Sequence, residues 1–251
     1  MQRYFVNANG SVDHSSFIMD GENAHHMVRV MRMNVNDRFY CVFLNGQSVL
    51  AKIDEISSET VTASIVEWID ESKELPVNVT IVSGLPKGDK LEYIIQKGTE
   101  LGAVRFIPFK ADRSIVKWDP KKSAKKRERW GKIAKEAAEQ SHRTIIPTVD
   151  EPIHMQKLLK LSEEYDHKIV AYEESAKEGE QALFATILSK VKPDESILII
   201  FGPEGGLSSK EVEAFLQHNF LACGLGPRIL RTETAPLYAL SSISFKFELM
   251  R

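Results

Sequence analysis

Between residues 38 and 69 the chain carries three runs, RFYCVFL, QSVLAKIDEI and TVTASIVEWI, with the density of β-branched and aromatic residues expected of strands. Asn45-Gly46 separates the first two, a dipeptide that suits a tight hairpin because both residues tolerate positive φ. The pattern predicts a small antiparallel sheet or barrel. Before it, MQRYFV begins like a strand, and GENAHHMVRVM predicts a short helix capped by Asp20. Met27, Val28 and Met31 make its apolar face, with His25, Arg29 and Arg32 mainly on the other side. The segment DESKELP, residues 70–76, is polar, charged and proline-terminated, the composition of a connector. The boundary falls there, giving domains over residues 1–72 and 73–251.

Beyond it strands alternate with helices. VNVTIVSGL is followed by a helix over about residues 89–101 and then by VRFIPF near 104–109, which is α/β grammar. Trp130, Ile133, Ala134, Ala137, Ala138 and Ser141 recur at helical spacing and predict a long amphipathic helix over 125–141. KIVAY (168–172) and SILIIF (196–201) are short, almost unbroken apolar runs, as expected of strands covered on both faces of a mainly parallel sheet. A final helix over about 235–250 sets Leu237, Leu240, Ile243 and Phe247 on one side, with Thr232 or Thr234 as cap and Pro236 in its first turn.

Composition narrows the class. A chain of 251 residues most often forms two domains, and no stretch approaches the roughly 20 apolar residues of a membrane helix. No basic segment followed by an apolar run opens the chain, so a cytoplasmic protein without a membrane span is expected. Cys41 and Cys223 are too few for a disulfide framework and lack zinc-site spacing, so both read as packing residues and no metal is expected. The net charge of -2 hides an asymmetry. From Lys87 to Arg143 there are sixteen Lys or Arg against eight Asp or Glu, an excess of +8 that leaves -10 for the rest. Such a basic segment suits a polyanion, and it also suits the solvated face of a helix over Lys121 to Lys135.

The sharpest local signal is SILIIF-GPEGGLSSKE: a buried strand ends in a glycine turn, and a helix begins with Ser208 and Glu211 in capping-box spacing. Crevices beyond the carboxyl ends of strands in α/β sheets bind ligands, and glycines let a ligand approach the main chain. A plain strand-to-helix turn explains the same glycines. Polyphosphate is a poor occupant, since neither phosphate-loop pattern is present and Glu204 sits inside the turn. A second strand and glycine turn, FLACGLGPRILRTETA, repeats the theme. Two such turns beside one pocket suit a flat or bent cofactor.

QKGTELG (96–102), RWGKIAKEAAEQSHR (129–143), GPEGGLS and LGPRILRTETA, in this order along the chain, resemble the 16S ribosomal RNA uridine N3-methyltransferase family, RsmE, of the SPOUT class. The resemblance covers most of the chain. It implies a C-terminal α/β domain whose mainly parallel sheet carries a trefoil knot forming the S-adenosylmethionine (SAM) pocket, a small N-terminal PUA-like β-barrel that binds RNA, and a homodimer. Carried over by position, the cofactor loops are Phe201, Gly202, Pro203, Gly205 and Gly206, then Leu225, Gly226, Ile229 and Leu230. Leu225, Ile229 and Leu230 also read as ordinary core residues.

Methylating uracil N3 requires that the weakly acidic N3 proton be removed or the resulting anion be stabilised. Arg231 and Glu233, beside the second loop, are the leading candidates, with an Arg-Glu ion pair at a helix start as the plain alternative. Glu204 is a third candidate, with loop bracing as its alternative. His25, Arg29, Arg32, Lys87, Arg113 and Arg143 are the expected phosphate contacts to 16S ribosomal RNA or the small ribosomal subunit. A SPOUT-class ribose 2'-O-methyltransferase and a non-catalytic RNA-binding adaptor are the alternative readings of the whole.

Overall fold

The computed structural model describes residues 1–7, 15–70, 72–116, 123–172 and 183–250; Glu71 of the connector and Lys121, where the expected basic face begins, lie outside the described residues. The chain divides into two compact units, Met1–Glu74 with Ala138–Ile145, and Leu75–Ala137 with Ile146–Arg251.

In the first unit, strands β1 (Arg3–Val6), β2 (Ser16–Met19), β3 (Arg38–Phe43), β4 (Ser48–Ile56) and β5 (Val61–Ile69) form one sheet in the order β1-β3-β4-β5-β2. Only β1 and β3 pair in parallel. Alternate residues of β3, β4 and β5, namely Phe39 and Cys41, Val49, Ala51 and Ile53, Val61 and Ala63, form one buried cluster with Tyr4, Met19 and Met27. That period of two is what drives a half-covered sheet to fold. The helix of this unit, α1 (Gly21–His25), passes into a π turn over His26–Val30. Asp20 occupies its N-cap position without a side-chain bond, and Met31 is exposed rather than part of the apolar face, because the wider π turn rotates it off the stripe.

The segment read as a connector is partly a clasp. Glu74 Oε2 accepts from both Arg143 Nε (2.9 Å) and Arg143 Nη2, while Glu74 Oε1 accepts from the Thr144 N–H (2.8 Å) and the Ile145 N–H (3.1 Å). The Arg143 carbonyl in turn accepts from Arg3 Nη1 at 3.2 Å, and the Arg3 guanidinium lies over the Tyr40 ring.

The second unit is built on a six-stranded sheet, every pair parallel, in the order β11-β9-β10-β6-β7-β8. Its strands are β6 (Asn78–Gly84), β7 (Arg105–Phe109), β8 (Thr148–Val149), β9 (His167–Ala171), β10 (Ser196–Phe201) and β11 (Leu221–Cys223). The helices are α2 (Lys90–Glu100), α3 (Ser123–Gln140), α4 (Met155–Ser162), α5 (Leu183–Leu188), α6 (Ser209–Gln217) and α7 (Thr234–Ser244), the last continued by a π turn over Phe245–Leu249. The near-continuous apolar run of β10 serves two cores. Ile197, Ile199 and Phe201 join α2, α3, α5 and α7 residues on one face, while Leu198 and Ile200 join Leu158 of α4 and Val212 and Phe215 of α6 on the other. At about 1.5–3 kcal/mol for each large apolar side chain fully buried, this double covering makes β10 the anchor of the sheet. Because all the strands run the same way, the loops after β6, β7, β10 and β11 leave from one edge.

Candidate functional site

The loop after β10 is shaped by its own sequence. Gly206 has φ +70° and its N–H bonds the Pro203 carbonyl at 2.8 Å, a tight turn that a side-chain-bearing residue would strain. The expected capping box is formed: Ser208 Oγ accepts from the Glu211 N–H at 3.2 Å, and the Glu211 carboxylate accepts from the Ser208 N–H at 2.7 Å. Glu211 also accepts from the Asp112 N–H, so the start of α6 is tied to the loop after β7. Pro203 is buried against Gly84, where a Cβ would fall 2.5 Å from the proline ring. Phe201 is buried in the core, so only its main chain can face a ligand.

The two glycine loops meet. Thr232 Oγ1 donates to the Gly202 carbonyl at 2.8 Å, so one of the two threonines read as candidate caps of α7 instead pins the second loop to the first. Glu233 takes the N-cap position of α7 without a side-chain bond, and the Arg231 carbonyl accepts from the N–H groups of Thr234 and Ala235. Gly226 has φ +93°. Ile229 is 77 % exposed, which rules out the core reading for it. Leu225 packs against the main core from a half-buried position, and Leu230 is half-buried. Leu225 and Gly226 also border a largely apolar hollow of about 570 Å³, lined further by Phe184, Leu188 and Tyr238.

The acidic candidates share one lysine. Lys90 Nζ lies 3.0 Å from Glu204 Oε1 and 3.2 Å from Glu233 Oε2, and the Lys87 N–H donates to Glu204 Oε1 at 3.1 Å. Glu233 Oε2 is sequestered and its contact lacks hydrogen-bond alignment, so the ion pair with Lys90 is oblique. The Arg231 guanidinium is exposed and makes no ion pair among the described residues, so the alternative reading of an Arg231-Glu233 pair does not hold; Glu233 pairs with Lys90. Burial raises the Glu204 carboxyl, but its own N–H, the Lys90 ammonium and the Lys87 N–H outweigh that and hold it below the usual carboxylate range. The hydrogen bond to Glu204, with Glu233 close by, pushes the Lys90 ammonium up despite the opposing effect of burial. The cluster is therefore two carboxylates and one ammonium, with Arg231 open beside it.

Of the basic candidates, Arg113 reaches the site directly: its Nη1 donates to the Gly205 carbonyl at 3.2 Å. Lys87 is exposed at the side chain. His25, Arg29 and Arg32 are exposed in the first unit, and His25 and Arg29 line a hollow of about 520 Å³ with Ser57 and Thr60. Arg143 is the correction. At 2 % exposed and engaged by Glu74, it is a buried brace of the first unit and offers no surface to a phosphate. Lys90 and Gly84 were not singled out from the sequence, and Thr232 was read only as a candidate helix cap. Lys90 is one of many lysines in a basic segment, and only the fold shows which of them stands between two acids.

A family described as the RNA methyltransferase domain matches residues 73–244, and one described as the RNA methyltransferase PUA domain matches residues 19–66. The chain is 53% identical over 253 residues to the ribosomal RNA small subunit methyltransferase E of Bacillus subtilis (strain 168), covering 100% of this chain and 99% of that one. Among solved structures, the ribosomal RNA small subunit methyltransferase E of Neisseria gonorrhoeae bound to S-adenosyl methionine superposes with a TM-score of 0.81 at 27% identity, over 98% of this chain and 97% of that one. A Legionella pneumophila methyltransferase with bound cofactor SAM gives a TM-score of 0.80 at 26% identity, over 96% of each chain.

Proposed function

Because the chain belongs to the ribosomal RNA small subunit methyltransferase E family, we propose that it transfers a methyl group from SAM to N3 of one uracil in 16S ribosomal RNA, either free or within the small subunit. The observation that carries this reading is the Thr232-Gly202 bond, which brings two glycine loops together at the carboxyl edge of a parallel sheet, beside an exposed arginine with no ion pair among the described residues. The residues there fit the cofactor. Exposed Ile229 and half-buried Leu225 offer apolar surface that the fold leaves uncovered, while Gly202, Gly205, Gly206 and Gly226 expose main-chain groups without obstructing side chains. SAM, when bound, supplies a methyl carbon on a good leaving group.

What the chain must add is alignment and proton management. Arg231 opposes the negative charge that develops on a uracil carbonyl as the N3 proton leaves, and Glu233 orients the base or receives the proton. Glu204 stays ionised and braces the first loop through Lys90 and the Lys87 N–H. N3 lies on the pairing edge, so the target base must be unpaired or drawn from its stack. Residues 1–72 hold the RNA through His25, Arg29 and Arg32, with Lys87 and Arg113 from residues 73–251 contributing phosphate contacts. Two further features belong to the proposal. The second unit carries a trefoil knot, supported by the return of the 225–234 segment onto Gly202; and the chain works as a homodimer, supported by exposed Phe245, Leu249 and Met250 on its last turn. A ribosomal RNA substrate puts its place of work in the cytoplasm.

Calorimetry with SAM and its demethylated product tests the donor site, and primer extension tests the chemistry. A methyl group on N3 blocks pairing and stops the polymerase, whereas a ribose methyl leaves the pairing edge intact. Loss of 3-methyluridine from ribosomal nucleosides of a deletion strain, read by mass spectrometry, is the expected confirmation. Unchanged 3-methyluridine, or no affinity for the donor, would remove the reading.

A further inference from the structure

We propose that Lys90 is a positioning residue of the methyl-transfer site: by bridging Glu204 and Glu233 it fixes the two glycine loops to the start of α2, and so sets Arg231 and Glu233 against the reacting base. The inference rests on the reading of this cleft as the methyl-transfer site and extends it to a residue on a different element.

The geometry carries the argument. Glu204 belongs to the loop after β10, Glu233 to the start of α7, and Lys90 to the first turn of α2, so three segments far apart in sequence meet at one ammonium. Two carboxylates this close to a single point repel each other unless a cation stands between them. Lys90 is that cation, and its side chain and both partners are only partly open to solvent, which keeps water from replacing it cheaply. A neighbouring contact reinforces the arrangement: the Lys87 N–H holds the same Glu204 oxygen, so both the loop after β6 and the first turn of α2 are tied to the loop after β10 through Glu204. The close approach of Gly84 to Pro203 brings those loops together in the first place. Arg231 is two residues before Glu233, and its main-chain carbonyl is committed to the first turn of α7. Fixing Glu233 therefore fixes the point from which the Arg231 side chain extends. With Lys90 removed, Glu233 Oε2 is left sequestered without its cation and turns toward solvent, taking the start of α7 with it.

The test compares Lys90→Met, which keeps most of the length of the side chain and removes the charge, with Lys90→Arg, which keeps the charge. Three quantities are read: SAM affinity by calorimetry, single-turnover methylation of 16S ribosomal RNA, and the melting temperature. A misplaced reacting group lowers turnover by about a hundredfold. The expected result is that loss in Lys90→Met, a much smaller change in SAM affinity, a modest fall in melting temperature that leaves the chain folded at the assay temperature, and recovery of most of the turnover in Lys90→Arg. Parent-like turnover in Lys90→Met overturns the inference. So does a loss that follows the melting temperature in both variants, since it marks a residue that only stabilises the fold. If the parent chain itself neither binds SAM nor methylates RNA, the functional reading fails before the variants are compared; if the parent is active, only Lys90 is at stake.

Discussion

At the scale of single residues, the site is defined by which charges are paired and which are left open. Arg231 is open, so its replacement by alanine is expected to lower methyl transfer by about 10²–10³-fold, the usual effect of removing one group that stabilises developing charge, while SAM binding measured by calorimetry persists. Normal turnover in Arg231→Ala would take it out of the mechanism. Glu204 gives a pH-dependent prediction. Its folded-state value lies below the ordinary carboxylate range, so its ionised form stabilises the fold above that range, and the contribution disappears as pH falls through the lowered value. Glu204→Gln should therefore melt below the parent chain at neutral pH, and the gap should close in strong acid; a gap of constant size across the titration would show that ionisation is not its source. Residue chemistry was partly legible beforehand. The residue types in the two glycine loops, and Glu204, Arg231 and Glu233 beside them, could be picked out from the string. The partner of each charge could not, because Lys90 lies far from both acids in sequence and Arg143 looks like any other surface cation until its burial is known.

At the scale of elements, local rules worked where local forces dominate. The Ser208-Glu211 box formed because its bonds span only three residues, and β10 was recognisable because both of its faces are covered by core. Local rules failed where a distant partner competed. Thr232 had every qualification of a helix cap, yet it bonds the Gly202 carbonyl, because the fold delivers that acceptor to it. The strand β2 and the π turn after α1 were not anticipated, one being only four residues long and the other indistinguishable by periodicity from an α-helical turn. Gly84 ends β6 with no sign of importance in the string, but its missing side chain is what lets Pro203 approach. Gly84→Ala should destabilise the second unit by about 1–3 kcal/mol through overpacking, read by urea unfolding, and should weaken SAM binding as the loop after β10 is displaced. Unchanged stability would mean that the two backbones can part without cost.

At the scale of the whole molecule, the basic segment and the exposed cations of the first unit predict a strongly salt-dependent affinity for RNA. Each phosphate neutralised contributes to the slope of log affinity against log salt, so Arg29→Ala or Arg113→Ala should each reduce that slope by about one on a duplex-like target and somewhat less on single strands. Arg143 should be silent in this measurement, since Glu74 already holds it; a flat salt response in the parent chain would remove the electrostatic footprint altogether. The sequence by itself determined the succession of an antiparallel β-rich part and an α/β part, and the existence of two glycine turns at strand ends. Both follow from periodicity and from the restricted φ of residues other than glycine, which act over a few neighbours. The tertiary structure alone decided the strand order, the meeting of the two loops, the single lysine between two acids and the burial of Arg143. Those depend on contacts between residues tens to more than a hundred positions apart, and nothing in a local pattern records which distant segment a side chain will find.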